Sequence, residues 1–215
     1  MFGLSPAELL KVVPAILFGL TVHELSHAWA ALRLGDDTPR LMGRLTWNPL
    51  KHVDLFGFIM LVVAGFGWAK PVMINRANLK KPVRDDILIA LAGPFSNLAC
   101  ALLLVLLLKG VVALVPFGSR ESFQAVTSVF LVFIGINVSL GLFNLLPIPP
   151  LDGSHVVAGA LAAKSAAGAA VYFRYGSYAL LALILLERIL HTEILPVGRA
   201  VGWVVRLLLR LVGLA

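Results

Sequence analysis

His23, Glu24 and His27 stand in the run His23-Glu24-Leu25-Ser26-His27 and carry the most informative chemistry in the chain. On a helix, residues four apart share a face. The two imidazoles can therefore offer nitrogens to one metal ion at about 2.0–2.1 Å each. Glu24 follows the first histidine, so its carboxylate falls beside such an ion rather than on it. A general base works from that position, taking a proton from attacking water. His-Glu-x-x-His is accordingly a zinc-hydrolase signature. Here the run lies inside an apolar stretch, Val12 to Leu34. A carboxylate at the centre of a bilayer costs on the order of 2.5–3.5 kcal/mol, and polar groups kept there have partners and usually a task. A metal-free cluster of interhelical hydrogen bonds is the competing reading.

A catalytic zinc takes three protein ligands and keeps one position open. The third should come from another apolar segment. Asp152, in Pro149-Pro150-Leu151-Asp152-Gly153, is the best candidate, one of few acids in apolar surroundings. Its structural alternative is a helix N-cap. His155 competes as ligand one turn further on; contact with substrate or a hydrogen bond to a ligand are its other uses.

The elements that position these groups follow from composition and pattern. The chain has 215 residues, 60% hydrophobic and 13% charged, with a mean hydropathy of +0.94. Soluble domains run nearer about 45–50% apolar and 25% charged. The fold class is therefore an all-α polytopic membrane protein. The net charge of +7 fits cytoplasmic loops facing anionic lipid. No basic run is interleaved with aromatics, so nucleic acid is not an expected partner. The lone Cys100 sits in an apolar run and reads as packing. Lys11 and Ala28-Trp29-Ala30 mimic a cleaved signal peptide, but Glu8 and the His-Glu cluster argue against one.

Ser5-Pro6-Ala7-Glu8 is a helix start and Gly35 a stop. The helix between, ~43 Å long at 1.5 Å per residue, spans a bilayer with some tilt. Leu55 to Trp68, with Gly57, Gly65 and Gly67, is apolar but short and reads as a re-entrant or interfacial segment. Residues 68 to 75 look extended, as a surface hairpin or a strand offered to substrate. Ile87 to Leu108 and Ser122 to Leu146 are strong spans, the latter ended by Pro147, Pro149 and Pro150. A helix reopens at Leu151 and runs to about Ala163. Ala170 to Leu190 is a further apolar stretch. In the tail, 198 to 214, Arg199, Arg206 and Arg210 share a side with Trp203, which suits a helix lying in the interface, with a short final span as alternative. One membrane domain over 1–215 is expected, with its core at about 6–163 and C-terminal helices over about 170–215.

Lysine and arginine counts give the orientation. The 35–85 connection holds eight of them and residues 110–121 only Arg120. The first loop is expected in the cytoplasm, in a multi-pass cell-membrane protein. His27 then lies roughly 10 Å from the cytoplasmic end of its helix. The Pro-rich end of the third strong span, with Asn144 and Asp152, reaches a similar depth.

Three elements together resemble the site-2 protease family of intramembrane zinc metalloproteases: His23 to His27, Gly93-Pro94-Phe95-Ser96-Asn97, and Asn144-Leu145-Leu146-Pro147-Ile148-Pro149-Pro150-Leu151-Asp152-Gly153. The resemblance covers roughly residues 6 to 163 and implies a three-helix catalytic core. It implies His23, His27 and Asp152 as ligands of one zinc ion, Glu24 as base, and Asn144 as donor to the oxyanion. It makes Gly93 and Asn97 packing and orienting residues of the middle core helix. Asn48, His52 and Asp54 resemble a loop of the family's small members, with His52 read as catalytic or as part of a loop hydrogen-bond cluster. Larger relatives carry a PDZ or regulatory nucleotide-binding domain, and none fits here. Small members often have Arg or Lys where this chain has His155. The implied activity is an endopeptidase acting in the bilayer on single-span membrane proteins or signal peptides of prokaryotic cells. A metal transporter and a non-catalytic scaffold are the other function classes weighed.

Overall fold

A computed structural model describes residues 5–64 and 67–214. Gly65, one of the glycines of the re-entrant stretch, lies outside the described residues. The described elements are helical: α1 (Pro6–Leu34), α2 (Thr38–Leu41), α3 (Leu55–Ala64), α4 (Pro82–Leu114), α5 (Arg120–Asn144), α6 (Ser154–Ala162), α7 (Ala166–Leu190) and α8 (Val197–Leu211). By length and composition α1, α4, α5 and α7 can each cross a membrane. The chain is an all-α polytopic membrane protein.

Local chemistry sets the helix limits. At α1 the Ser5 backbone N–H donates to Glu8 Oε2 at 2.7 Å, and the Glu8 N–H returns a bond to Ser5 Oγ at 3.3 Å. This reciprocal cap satisfies two of the helix's unpaired donors. Gly35, at φ 111°, closes the helix in the left-handed region. The second span starts at Pro82, five residues before the Ile87 start read from hydropathy. Asp85 explains the difference: its carboxylate turns back to accept the Lys81 N–H at 2.8 Å, so the charged first turn is helical. The third span ends at Asn144, and turns rather than helix carry Asp152.

α1, α4 and α5 pack on one another as the three-helix core. α6 leans on α4, and α7 on α6. The Tyr172 hydroxyl of α7 donates to Pro147 O at 2.7 Å, which fastens α7 to the Pro-rich turn. α8 is ~22 Å long at 1.5 Å per residue, too short for a span. Its Val201, Val204, Val205 and Leu208 cover Ala101, Val105 and Leu108 of α4 and Ile134 and Val138 of α5. Trp203 is exposed on its other side. α8 thus lies against the bundle.

Between α1 and α4 the chain is clamped rather than paired. α3 is ten residues long, and Val53 and Ala69 form an isolated antiparallel bridge behind it. Residues 68–75, expected to be extended, join no further strand among the described residues. The buried Arg44 guanidinium instead donates to the carbonyls of Lys51, Lys70 and Pro71. Asp36, fully buried, does the corresponding work with a carboxylate. It accepts from Thr38 N (3.1 Å), Thr38 Oγ1 (2.6 Å), Asn75 N (2.7 Å) and Asn78 Nδ2 (2.8 Å). The end of α1 is thereby tied to the segment that enters α4.

Burial raises the pKa of Asp36, but the bonds from Thr38, Asn78 and Asn75 outweigh it and hold the carboxyl below the usual aspartate range. With the folded value depressed, the stabilisation is complete above the unfolded pKa of about 3.9 and is lost as pH falls through the folded value. Thermal unfolding should show an acid loss of stability that shrinks in Asp36→Asn. At neutral pH, Asp36→Ala should cost about 1–3 kcal/mol, because it strands the buried donors.

Candidate metal centre

The centre is built where α1 crosses α4 and the turn after α5 folds beneath them. Helical spacing puts His23 and His27 on the α1 face toward α4, where both are buried. The His27 Nδ1 donates to the Ile89 carbonyl at 2.7 Å, since a carbonyl can only accept. His23 Nδ1 lies 2.7 Å from Asn97 Oδ1. Each ring is therefore held at Nδ1 by α4 and leaves Nε2 to face Asp152.

Gly93 makes that approach feasible. A Cβ at this position would stand 2.4 Å from His27 Nε2 and 2.7 Å from His23 Cε1. Bare α4 backbone thus lies against the Nε2–Cε1 edge of His27 and Cε1 of His23, and no larger residue leaves them room.

Asp152 closes the third side. Its Oδ2 is 2.9 Å from His23 Nε2 and 3.4 Å from His27 Nε2. One ligand atom from each of the three residues lies within 4.8 Å of the others, and these residues form the metal-sized cluster among the described residues. A tetrahedron with metal–ligand bonds of about 2.0–2.1 Å has edges of about 3.3–3.4 Å, close to these spacings. With Nδ1 protonated and the rings neutral, each Nε2 points a lone pair at a carboxylate oxygen. Three acceptors converging in this way need positive charge between them. Glu24 adds to the pattern: it is buried, and its Oε2 has no hydrogen-bond partner. The donor set and the neighbouring carboxylate fit a zinc ion with a base at its side.

Asp152 precedes α6 rather than opening it. The residue at the cap position is Gly153, without a side-chain cap, so the N-cap alternative for Asp152 does not hold. Asn144 ends α5. Its backbone carbonyl accepts the Gly153 N–H at 2.7 Å, which anchors the Asp152 turn. Its side-chain amide donates to Leu140 O at 3.0 Å, back within its own helix. His155 is not among the three clustered ligands. Its Nδ1 bonds Asp86 Oδ2 at 2.8 Å, and Arg76 grips the same carboxylate at 3.0 and 2.7 Å. This bridge joins α6 to the start of α4. His52 is fully buried in the loop and donates from Nε2 to Thr46 O at 2.8 Å. Asn48 and Asp54 cap neighbouring turns through Leu50 N and Gly57 N.

Two residues escape the sequence reading. Arg44 stands in a basic loop where nothing marks it from its neighbours. Asn137 is an amide inside an apolar span, and the need of such a group for a partner is the signal that finds it.

The fold and this cluster define a multi-pass membrane protein with a metal-type site. The chain belongs to peptidase family M50, whose family model matches residues 12–126 and 108–186; the resemblance to site-2 proteases holds. "Putative zinc metalloprotease YwhC" of Bacillus subtilis is 43% identical over 151 residues, 68% of this chain and 67% of that protein. "Putative zinc metalloprotease Rip2" of Mycolicibacterium smegmatis is 32% identical over 151 residues, 66% of this chain and 54% of that protein. The protein of the same name from Mycobacterium tuberculosis (strain ATCC 35801 / TMC 107 / Erdman) is 33% identical over 153 residues, 66% of this chain and 54% of that protein. The matched region thus spans about half the length of the Rip2 proteins. No solved structure matches the chain.

Because the Gly93 wall sets where the rings sit, Gly93→Ala should displace both histidines. Zinc retained after dialysis against a weak chelator should fall, with an affinity loss of about 10–100-fold or more.

Proposed function

We propose that the chain is an intramembrane zinc endopeptidase. It cleaves peptide bonds in or near the transmembrane segments of single-span membrane proteins or leftover signal peptides. The observation that carries this reading is the convergence of His23, His27 and Asp152 beside buried Glu24, on a helix long and apolar enough to span a bilayer. Membership of a peptidase family supports it. The names of the relatives support zinc as the metal.

His23, His27 and Asp152 would hold the ion. Bound there, zinc supplies Lewis acidity to the scissile carbonyl and to the attacking water. Glu24 takes the proton from that water and later delivers it to the leaving nitrogen. Its unpaired Oε2 suits the task, because no hydrogen bond has to be broken before it accepts. Asn144 lends an amide N–H to the developing oxyanion. Gly93 and Asn97 bring α4 against the metal-binding rings. His52 steadies the loop beside α1, and His155 steadies α6 through Asp86.

A peptide bond inside a helix is shielded by its own hydrogen bonds, so a substrate must unwind before attack. An apolar groove of roughly 380 Å³ lies along α1 at the level of the histidines, lined by Val22, Leu25, Ser26, Trp29, Leu45, Thr46 and Trp47. It suits an apolar segment delivered from lipid. The extended residues 68–75 are the candidate edge for holding it unwound. The bacterial relatives support a cell-membrane protein of a prokaryote, and the basic 35–85 connection supports a catalytic centre nearer the cytoplasmic face. All of residues 1–215 form one protease domain on this reading, with the core over about 6–163.

In proteoliposomes, Glu24→Gln should lower cleavage of a single-span substrate about 10²–10⁴-fold while bound zinc stays at one ion per chain. Undiminished cleavage would overturn the mechanism. Asn144→Ala should cost about 10²–10³-fold in kcat, the usual effect of losing an oxyanion donor.

A further inference from the structure

We propose that Asn137 of α5 is a positioning residue for the metal centre: through Asn97 it selects the ring tautomer of His23. The inference rests on the zinc reading above for its function and on the following geometry for its content. Asn137 and Asn97 are both fully buried. The Asn137 Nδ2 donates to Phe133 O at 2.9 Å. Asn97 Nδ2 donates to Asn137 Oδ1 at 2.9 Å and to Gly19 O at 2.9 Å. Asn97 Oδ1 then meets His23 Nδ1 at 2.7 Å.

The direction of every bond in this chain is forced. Backbone carbonyls accept and cannot donate. The Phe133 carbonyl therefore claims the Asn137 NH2 group and turns the Asn137 oxygen toward Asn97. That oxygen and the Gly19 carbonyl together claim both N–H bonds of Asn97. What Asn97 has left for His23 is an oxygen, which can only accept. His23 must therefore carry a proton on Nδ1, and in the neutral ring Nε2 is then the lone pair that faces Asp152.

The opposite arrangement shows what Asn137 prevents. With the Asn97 amide reversed, its NH2 would face His23, and Nδ1 would become the acceptor. Nε2 would then carry the proton and donate it to Asp152 at the present 2.9 Å spacing. His23 and Asp152 would form a hydrogen-bonded pair instead of offering two metal ligands. Gly19 O alone guards against this on α1; Asn137 supplies the second guard, from the third core helix. His27 needs no such device, because Ile89 O fixes its tautomer directly.

A packing role for Asn137 would make its loss a matter of stability alone, so the test reads tautomer and metal. The full chain, purified in detergent, is labelled with ¹⁵N-histidine and examined without metal by NMR, then titrated with zinc against a chelator. Asn137→Leu should bring a protonated Nε2 signal for His23 and weaken zinc binding about 10–100-fold, as loss of a partner of a metal ligand does. Asn137→Ser tests the same point with the helix left satisfied, since its hydroxyl can serve Phe133 O as Ser26 serves Val22 O at 2.7 Å; the same change is expected. Asn137→Asp keeps the acceptor and should keep most of the affinity. Val138→Ala, a buried neighbour outside the network, should lower thermal stability and leave zinc affinity unchanged. Wild-type tautomer and affinity in the Leu and Ser variants would overturn the proposal, and so would a loss in Val138→Ala equal to theirs. If the wild-type chain binds no zinc yet the tautomer follows residue 137, the zinc reading falls and the positioning of His23 stands.

Discussion

Two imidazole lone pairs and a carboxylate oxygen point at one another across 2.9 and 3.4 Å. Much of the molecule can be understood as the means of holding that unfavourable arrangement together until a cation sits in it. α1 supplies two of the groups by helical spacing. α4 approaches through Gly93 and takes both Nδ1 protons, one on Asn97 and one on the Ile89 carbonyl. α5 delivers the third group on a turn whose Gly153 N–H is bound to Asn144 O. The three core helices therefore meet at a point where the converging dipoles would otherwise push them apart.

The loop between α1 and α4 serves the same end from outside the bundle. Asp36 gathers donors from Thr38, Asn75 and Asn78, and Arg44 gathers the carbonyls of Lys51, Lys70 and Pro71. One is a buried anion satisfied by N–H and O–H groups, the other a buried cation satisfied by C=O groups. Neither depends on a sheet. The extended segment keeps its shape without strand partners because side chains occupy the backbone groups that a ladder would otherwise use.

Much of this was legible in the sequence because it depends on spacing and local chemistry. The Ser5–Glu8 cap, the Gly35 stop, the spans and the His23–His27 pair all follow from residues within one or two turns of each other. Asp152 was legible because an acid among apolar residues and prolines needs an explanation. The less legible features depend on orientation across helices. Hydropathy started the second span late because Asp85 turns its charge inward to cap its own helix. The tail's arginine side was readable, but not that its valines and leucines would cover α4 and α5. Nothing in the sequence assigned Asn137 to Asn97, since that pairing exists only once three helices meet. His155 invited a reading as ligand by its distance from Asp152 along the chain, whereas its ring reaches Asp86 on a different helix.

The bare wall at Gly93 bears on entropy. Histidines on an open helix surface would sample several rotamers, and a metal would have to freeze them on arrival. Here α4 both stops the rings with the bare backbone of Gly93 and tethers each at Nδ1, so that freedom is surrendered when the helices dock. The ordering cost falls on folding and lipid-phase assembly, and the ion meets ligands already at rest. Affinity for the metal and the cost of docking the helices are in this sense two readings of the same missing side chain.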